Sequence, residues 1–220
     1  MSNPSNTLRT KRTDLSPYLF HYTKGEFPDK TLATIINEQQ LKSPRGFICF
    51  TEAPLTSSFQ QIEYMSNFKK PMYSSFGIGF SRDLLIRNGA MPVIYGTKED
   101  ETFIHENLKW RFEELNIITH DYSWLREWRI NGVFDFSQLD KNEIIIIAPT
   151  KEALNELIGE DDFDVDFAYE HEIRSAIPYL YSYKSRLWKG FAIEDIKQEI
   201  RDDYQLSGAT LTQEFGEELD

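Results

Sequence analysis

Phe47-Ile48-Cys49-Phe50-Thr51-Glu52-Ala53-Pro54-Leu55 decides how this chain folds. Phe47 to Thr51 is an aromatic and β-branched run of the kind that suits a pleated, buried surface. Pro54 stops it, because proline cannot donate to a ladder. The stretch therefore reads as a buried strand that delivers a polar group to its end. The same device recurs on either side, in Leu19-Phe20-His21-Tyr22-Thr23, Phe76-Gly77-Ile78-Gly79-Phe80-Ser81-Arg82, Pro92-Val93-Ile94-Tyr95 and Arg126-Glu127-Trp128-Arg129-Ile130. A rigid strand fixes a side chain, and the loop beside it leaves that side chain accessible, so sites are built at such ends.

Working outward, Leu32, Ile35, Ile36 and Leu41 recur at helical spacing and predict an amphipathic helix over Thr31 to Gln40. Ser43-Pro44-Arg45-Gly46 is a turn. Ser57 to Phe68 reads as a second helix. Ser75 to Phe80 reads as a strand whose two glycines face one side, open to another backbone or a flat ligand. Val93 to Tyr95 is a short strand. Glu101 to Ile118 is the longest helical candidate, with Trp110, Phe112 and Leu115 as its apolar side. Glu127 to Val133 and Glu143 to Ala148 read as strands, and unbroken Ile144-Ile145-Ile146-Ile147 implies burial on both faces. Thr150 suits the N-cap of a helix over Lys151 to Ile158. Ile173 to Tyr183 is one more strand or a bent pair.

No internal repeat is present, and strands and helices mix without a βαβ rhythm, so the class is α+β. The expected core is two small split β-sheets flanked by helices. Strands ending at His21, Thr51, Phe80 and Glu127 should meet at a cleft. The expected organisation is a flexible arm over 1–14, one domain over 15–190, and an acidic helix or tail over 191–220.

At 220 residues, 40% hydrophobic and 14% aromatic, the chain can bury a sizeable core. Cys49 is the only cysteine, which excludes an internal disulfide and suits a reducing cytoplasm. The start is polar, without a signal-peptide core, and no apolar stretch reaches the roughly 20 residues that span a membrane. A net charge of -12 argues against broad nucleic-acid binding. The acidic runs, Glu160 to Asp166 and Glu194 to Asp220, read as solvated surface or as a face for a basic partner.

Common chemical signatures are missing. There is no P-loop, and Gly77-x-Gly79 lacks the third glycine and the following helix of a dinucleotide fingerprint. His105 and His120 are too far apart for one helical turn, and His171 reads as a lone surface histidine, so no metal site is expected. Cys49, inside its apolar run, reads as core. His21-Tyr22-Thr23 reads either as an ordinary strand edge or as polar groups for ribose hydroxyls. Glu127 reads either as a surface ion pair with Arg126 or Arg129, or as a carboxylate that opposes a cationic sugar in a transition state.

Together these motifs resemble the AbiGi-type abortive phage infection proteins. The resemblance rests on His21-Tyr22-Thr23, Cys49-Phe50-Thr51-Glu52-Ala53-Pro54-Leu55, Gly77-Ile78-Gly79-Phe80, Pro92-Val93-Ile94-Tyr95 and Glu127-Trp128-Arg129, and spans roughly residues 18–150. More distantly, the order of a His-x-Thr strand, a middle strand and a late Glu is similar to the ADP-ribosyltransferase fold of the DarT kind. That similarity implies NAD as substrate and Glu127 as the catalytic carboxylate on the nicotinamide ribose. His21, Tyr22, Thr23, Thr51, Tyr73, Ser75 and Phe80 are the implied NAD contacts. Leu125 stands where arginine-specific transferases carry another carboxylate, which implies a nucleic acid or a different protein side chain as acceptor. A cognate toxin or antitoxin, or a phage protein, is the implied partner. The competing expectation is a non-enzymatic antitoxin or phage sensor. An RNA-binding or nuclease-like protein fits the charge poorly.

Overall fold

The computed structural model describes residues 15–65, 71, 73–116, 121–159, 161–170, 175–184 and 188–195. The arm over 1–14, the tail beyond 195, His120 and His171 lie outside them. In chain order, β1 (Tyr18–Tyr22) leads into α1 (Pro28–Glu38), β2 (Gln40–Leu41) and β3 (Phe47–Thr51). Then come α2 (Leu55–Met65), β4 (Gly77–Ser81) and α3 (Arg82–Arg87). Short strands β5 (Met91–Pro92), β6 (Ile94–Gly96) and β7 (Phe112–Glu114) precede β8 (Glu127–Asn131), β9 (Phe134–Asp135) and β10 (Ile144–Ala148). The chain continues through α4 (Lys151–Ile158), a hairpin of β11 (Asp161–Glu170) with β12 (Ser175–Lys184), and β13 (Lys189–Ala192).

Seven strands form one mixed, mostly antiparallel sheet in the order β13-β10-β4-β1-β3-β8-β5. This differs from the two small split sheets expected. A seam nevertheless runs down its middle. β4 follows β1 from Tyr18–Ser81 to Tyr22–Gly77, and β8 follows β3 from Phe47–Asn131 to Thr51–Glu127. β1 and β3 meet only where Phe20 faces Thr51, and beyond that pair they diverge.

The largest core lies on one face of the sheet. Leu19, Ile48, Phe50, Ile78, Phe80, Trp128, Ile144 and Ile146 pack there with Leu32 and Ile36 of α1, Leu84 and Leu85 of α3, and Leu154 and Ile158 of α4. On the other face Phe20, Tyr22 and Ile147 pack with Phe59 and Ile62 of α2. β10 lies between β13 and β4, and every one of its residues is buried, as the isoleucine run predicts. Each of those side chains is worth about 1.5–3 kcal/mol removed from water. Thr150 caps α4 as expected, its Oγ1 accepting from the Ala153 N–H at 3.2 Å. No described helix is long and apolar enough to cross a membrane.

Two further expectations need correction. Of the helix expected over Glu101 to Ile118, the described part, Glu101 to Asn116, is not helical throughout. It breaks into 3₁₀ turns over Asp100–Phe103 and Glu106–Arg111, then turns extended as β7. The paired glycines of β4 do not wait for a ligand. A Cβ on Gly79 would lie 2.7 Å from the Phe20 ring, and one on Gly77 would lie 2.8 Å from Tyr22, so β1's aromatics fill that space. The acidic run from Asp161 is one strand of the hairpin paired with Ser175–Lys184.

Candidate functional site

The diverging strands β1 and β3 open a cleft of about 850 Å³. His21, Tyr22, Thr23, Thr51, Tyr73 and Glu127, which the sequence nominates, all line it. Ser75 does not line it, and Phe80 is fully buried in an aromatic cluster with Phe50, Phe134 and Phe136, at centroid distances of 6.1, 5.1 and 5.2 Å. Phe80 is excluded because its alternation along β4 sends it to the large core.

His21 sits at the seam. Its Nδ1 lies 2.8 Å from the Cys49 carbonyl, which can only accept, so the hydrogen is on Nδ1. This bond ties β3 to β1 where the backbone ladder has ended. Nε2 has no protein partner among the described residues and remains an acceptor for a ligand hydroxyl. Burial pulls the imidazole pKa down from 6.5; the Cys49 bond opposes this and Lys24 adds to it, so the ring is neutral.

The two threonines have structural roles. Thr23 Oγ1 is buried among the Pro28 carbonyl, the Phe76 carbonyl and Ser74 Oγ, at 3.1, 3.1 and 3.0 Å. It fastens the end of β1 to the starts of α1 and β4. Thr51 Oγ1 donates to the Leu125 carbonyl at 2.5 Å and accepts from the Ala53 N–H at 3.1 Å. That bond anchors the turn that delivers Glu127. Arg126, the residue before Glu127, is left-handed (φ 47°), a costly conformation for a side-chain-bearing residue.

Glu127 is an ion pair, but with Arg129 and inside the protein. Residues two apart on a strand share a face, so Arg129 Nε reaches Glu127 Oε1 at 2.7 Å. Arg129 is only 2% exposed and Glu127 9%. Three of the other guanidinium hydrogens go to the Trp110 and Phe112 carbonyls, at 3.1 and 2.8 Å, and to Glu113 Oε2. The guanidinium also stacks 4.4 Å from the Phe47 centroid. Burial works against the Arg129 charge, but the bonds to Glu127 and Glu113 outweigh it and hold the group cationic.

Sequence reasoning assigned Cys49 to the core, yet it is half-buried and lines the cleft. Its thiol is pushed up to about 12, first by burial and then by the Glu127 carboxylate, so it is a neutral neighbour and no nucleophile. Burial and the same carboxylate raise the pKa of the Tyr73 phenol. Tyr22 lines the cleft, while its hydroxyl is buried near Ser58 without a well-formed hydrogen bond.

Sequence reasoning also missed several lining groups. Tyr122 and Glu113 stand near Glu127's strand, while Lys24, Lys42 and Arg45 come from the β1 end and the β2–β3 turn. Glu52 enters the sequence reading only as part of the Cys49 to Leu55 motif. It is buried, with Oε2 accepting from the Trp128 indole at 3.0 Å and Oε1 from Arg82 Nε at 3.1 Å. This joins the two motifs physically. Comparison with models of known families, with curated proteins and with solved structures finds no match.

Proposed function

We propose that this protein is an NAD-dependent ADP-ribosyltransferase of a phage-defence system, acting on a nucleic-acid or protein acceptor in the cytoplasm. The observation that carries the reading is the cleft itself. One concavity of about 850 Å³, within the range of cofactor-sized pockets, is lined by His21, Tyr73 and Glu127 together. The seam between β1 and β3 supports an ADP-ribosyltransferase-like core, in which the substrate enters between two halves of a sheet. Lys24, Lys42 and Arg45 suit a diphosphate in an otherwise acidic chain. Tyr73 and Tyr122 offer aromatic surface for a flat ring. Glu127, fixed by Arg129 in a dry setting, suits a ribose that becomes cationic as nicotinamide leaves.

Calorimetric titration with NAD, followed by measurement of nicotinamide release, tests this. The wild type should bind and cleave. Glu127→Gln, which keeps the volume and loses the charge, should bind comparably and cleave at least about 10²-fold more slowly. A wild type that neither binds NAD nor releases nicotinamide refutes the proposal.

A second reading has its own support. The Thr23 and Thr51 hydroxyls and one Glu127 oxygen are already engaged within the protein. That saturation favours a cleft that holds a ligand without turning it over, as in an antitoxin or a phage-protein sensor. NAD binding with no cleavage under any condition selects this reading.

A further inference from the structure

We propose that Glu113 is a second catalytic carboxylate of this cleft, the general base that takes the proton from the group attacking the nicotinamide ribose. The inference rests on the NAD-cleaving reading above. Glu113 comes from β7, in a segment remote from the motif strands, and reaches the cleft because Arg129 gathers it in. Arg129 Nε binds Glu127 and Nη2 binds Glu113. The guanidinium is a rigid planar fork, so carboxylates on these two nitrogens stand close together on one cation. The Trp110 and Phe112 carbonyls on Nη1 fix the backbone on the near side of Glu113.

The two carboxylates differ in their access to water. Glu127 is 9% exposed and Glu113 29%. The drier group suits charge stabilisation, whose worth grows as water is excluded. The wetter one suits proton transfer, because a base must pass its proton on to solvent. Glu113 Oε2 is held by Arg129, and among the described residues Oε1 accepts no hydrogen bond from the protein. Two neighbouring titratable groups do not compete as bases. Cys49 and Tyr95, opposite Glu113 in the β6–β7 ladder, are both pushed up to about 12 by burial and by Glu127, and stay protonated.

In this step Glu113 takes the proton of the acceptor as the acceptor's lone pair bonds to the ribose C1′. The C1′–nitrogen bond breaks, and its electron pair leaves with neutral nicotinamide. Glu127 stays ionised throughout and opposes the charge on the ribose.

The test uses water and azide as acceptors, because azide is an anion with no proton to lose. Glu113→Ala should lower NAD hydrolysis by about 10²–10⁴-fold. Azide should restore turnover of this variant and yield ADP-ribosyl azide, while leaving the wild type nearly unaffected. Glu113→Gln, which keeps the bond to Arg129 within reach, should bind NAD by calorimetry with a Kd within about threefold of the wild type. Wild-type cleavage matched by both variants overturns the role of Glu113 alone. So does a slow variant that azide does not rescue, or one that has lost NAD binding, since either marks a structural carboxylate. A wild type that does not bind NAD overturns the underlying reading and this inference with it.

Discussion

His21 uses its two nitrogens differently, and the difference can be measured through pH. Nδ1–H closes the seam on the Cys49 carbonyl, which requires no charge, and burial disfavours the imidazolium. The folded pKa therefore lies below the unfolded value of 6.5. Below that value the unfolded chain binds more protons than the folded one. Stability is thus fully present above it and is lost as pH falls through it toward the folded pKa. The slope for one such group is at most about 1.4 kcal/mol per pH unit. The exposed Asp100, Asp121 and Asp135 have pKa values lowered from 3.8, so they act in a separate, more acidic window. Asn at this position keeps a donor equivalent to Nδ1–H and does not titrate. Urea unfolding at pH 7.5 and 5.5 should show a loss for the wild type that is much smaller for His21→Asn. Equal losses would place the titrating group elsewhere.

Among the elements, β4 and β1 form the most demanding contact. Their register sets Phe20 against Gly79 and Tyr22 against Gly77, and the aromatic rings lie where glycine Cβ atoms would stand. Gly79→Ala should destabilise the protein by about 1–3 kcal/mol, the usual effect of overpacking a core. Phe20→Leu shrinks the ring into which the new methyl projects, so in a double-mutant cycle the pair should be less destabilising than the sum of the singles. Strict additivity in the cycle, read from thermal midpoints, would refute the contact. The region from Glu101 to Leu115 makes the opposite point about elements. Its apolar residues favour a helix locally, but Arg129 claims the Trp110 and Phe112 carbonyls. In an α-helix those carbonyls would accept from N–H groups four residues on. A buried guanidinium with unmet donors costs more than one turn of helix returns, so the segment unwinds toward the cation.

Across the whole molecule, the sheet is continuous in order yet weakest at its centre. β1 and β3 share one register pair, with the His21 bond as a side-chain substitute for the missing ladder. β10 and β4, by contrast, are paired along their length and buried. Opening the seam therefore exposes few backbone bonds, whereas opening β10 requires much of the core to separate. Hydrogen exchange should find the amides of β3 near Cys49 exchanging by local opening, well before those of Ile145 to Ile147. A ligand lodged in the cleft touches both halves and should slow the first set more than the second. Uniform protection across both strands would mean that the seam is as cooperative as the rest of the sheet.

The motif strands and the cleft residues His21, Tyr22, Thr23, Thr51, Tyr73 and Glu127 were legible in the sequence. Strand burial follows alternation and apolar runs, which are local properties, and polar ends of rigid strands are natural places for a site. The isoleucine strand and the Thr150 cap were legible for the same reason. Long-range pairing was not legible. Which face Phe80 takes, how Phe20 fills the space above Gly79, and where Cys49 lies relative to solvent depend on register between distant strands. The unwinding after Asp100 and the arrival of Glu113 beside Glu127 depend on one buried cation, Arg129, whose hydrogen-bonding demand no local window contains. Sequence alone determined the pieces and the polar ends of the strands; tertiary structure decided their partners, because burying Arg129 forces distant carbonyls and carboxylates to gather around its charge.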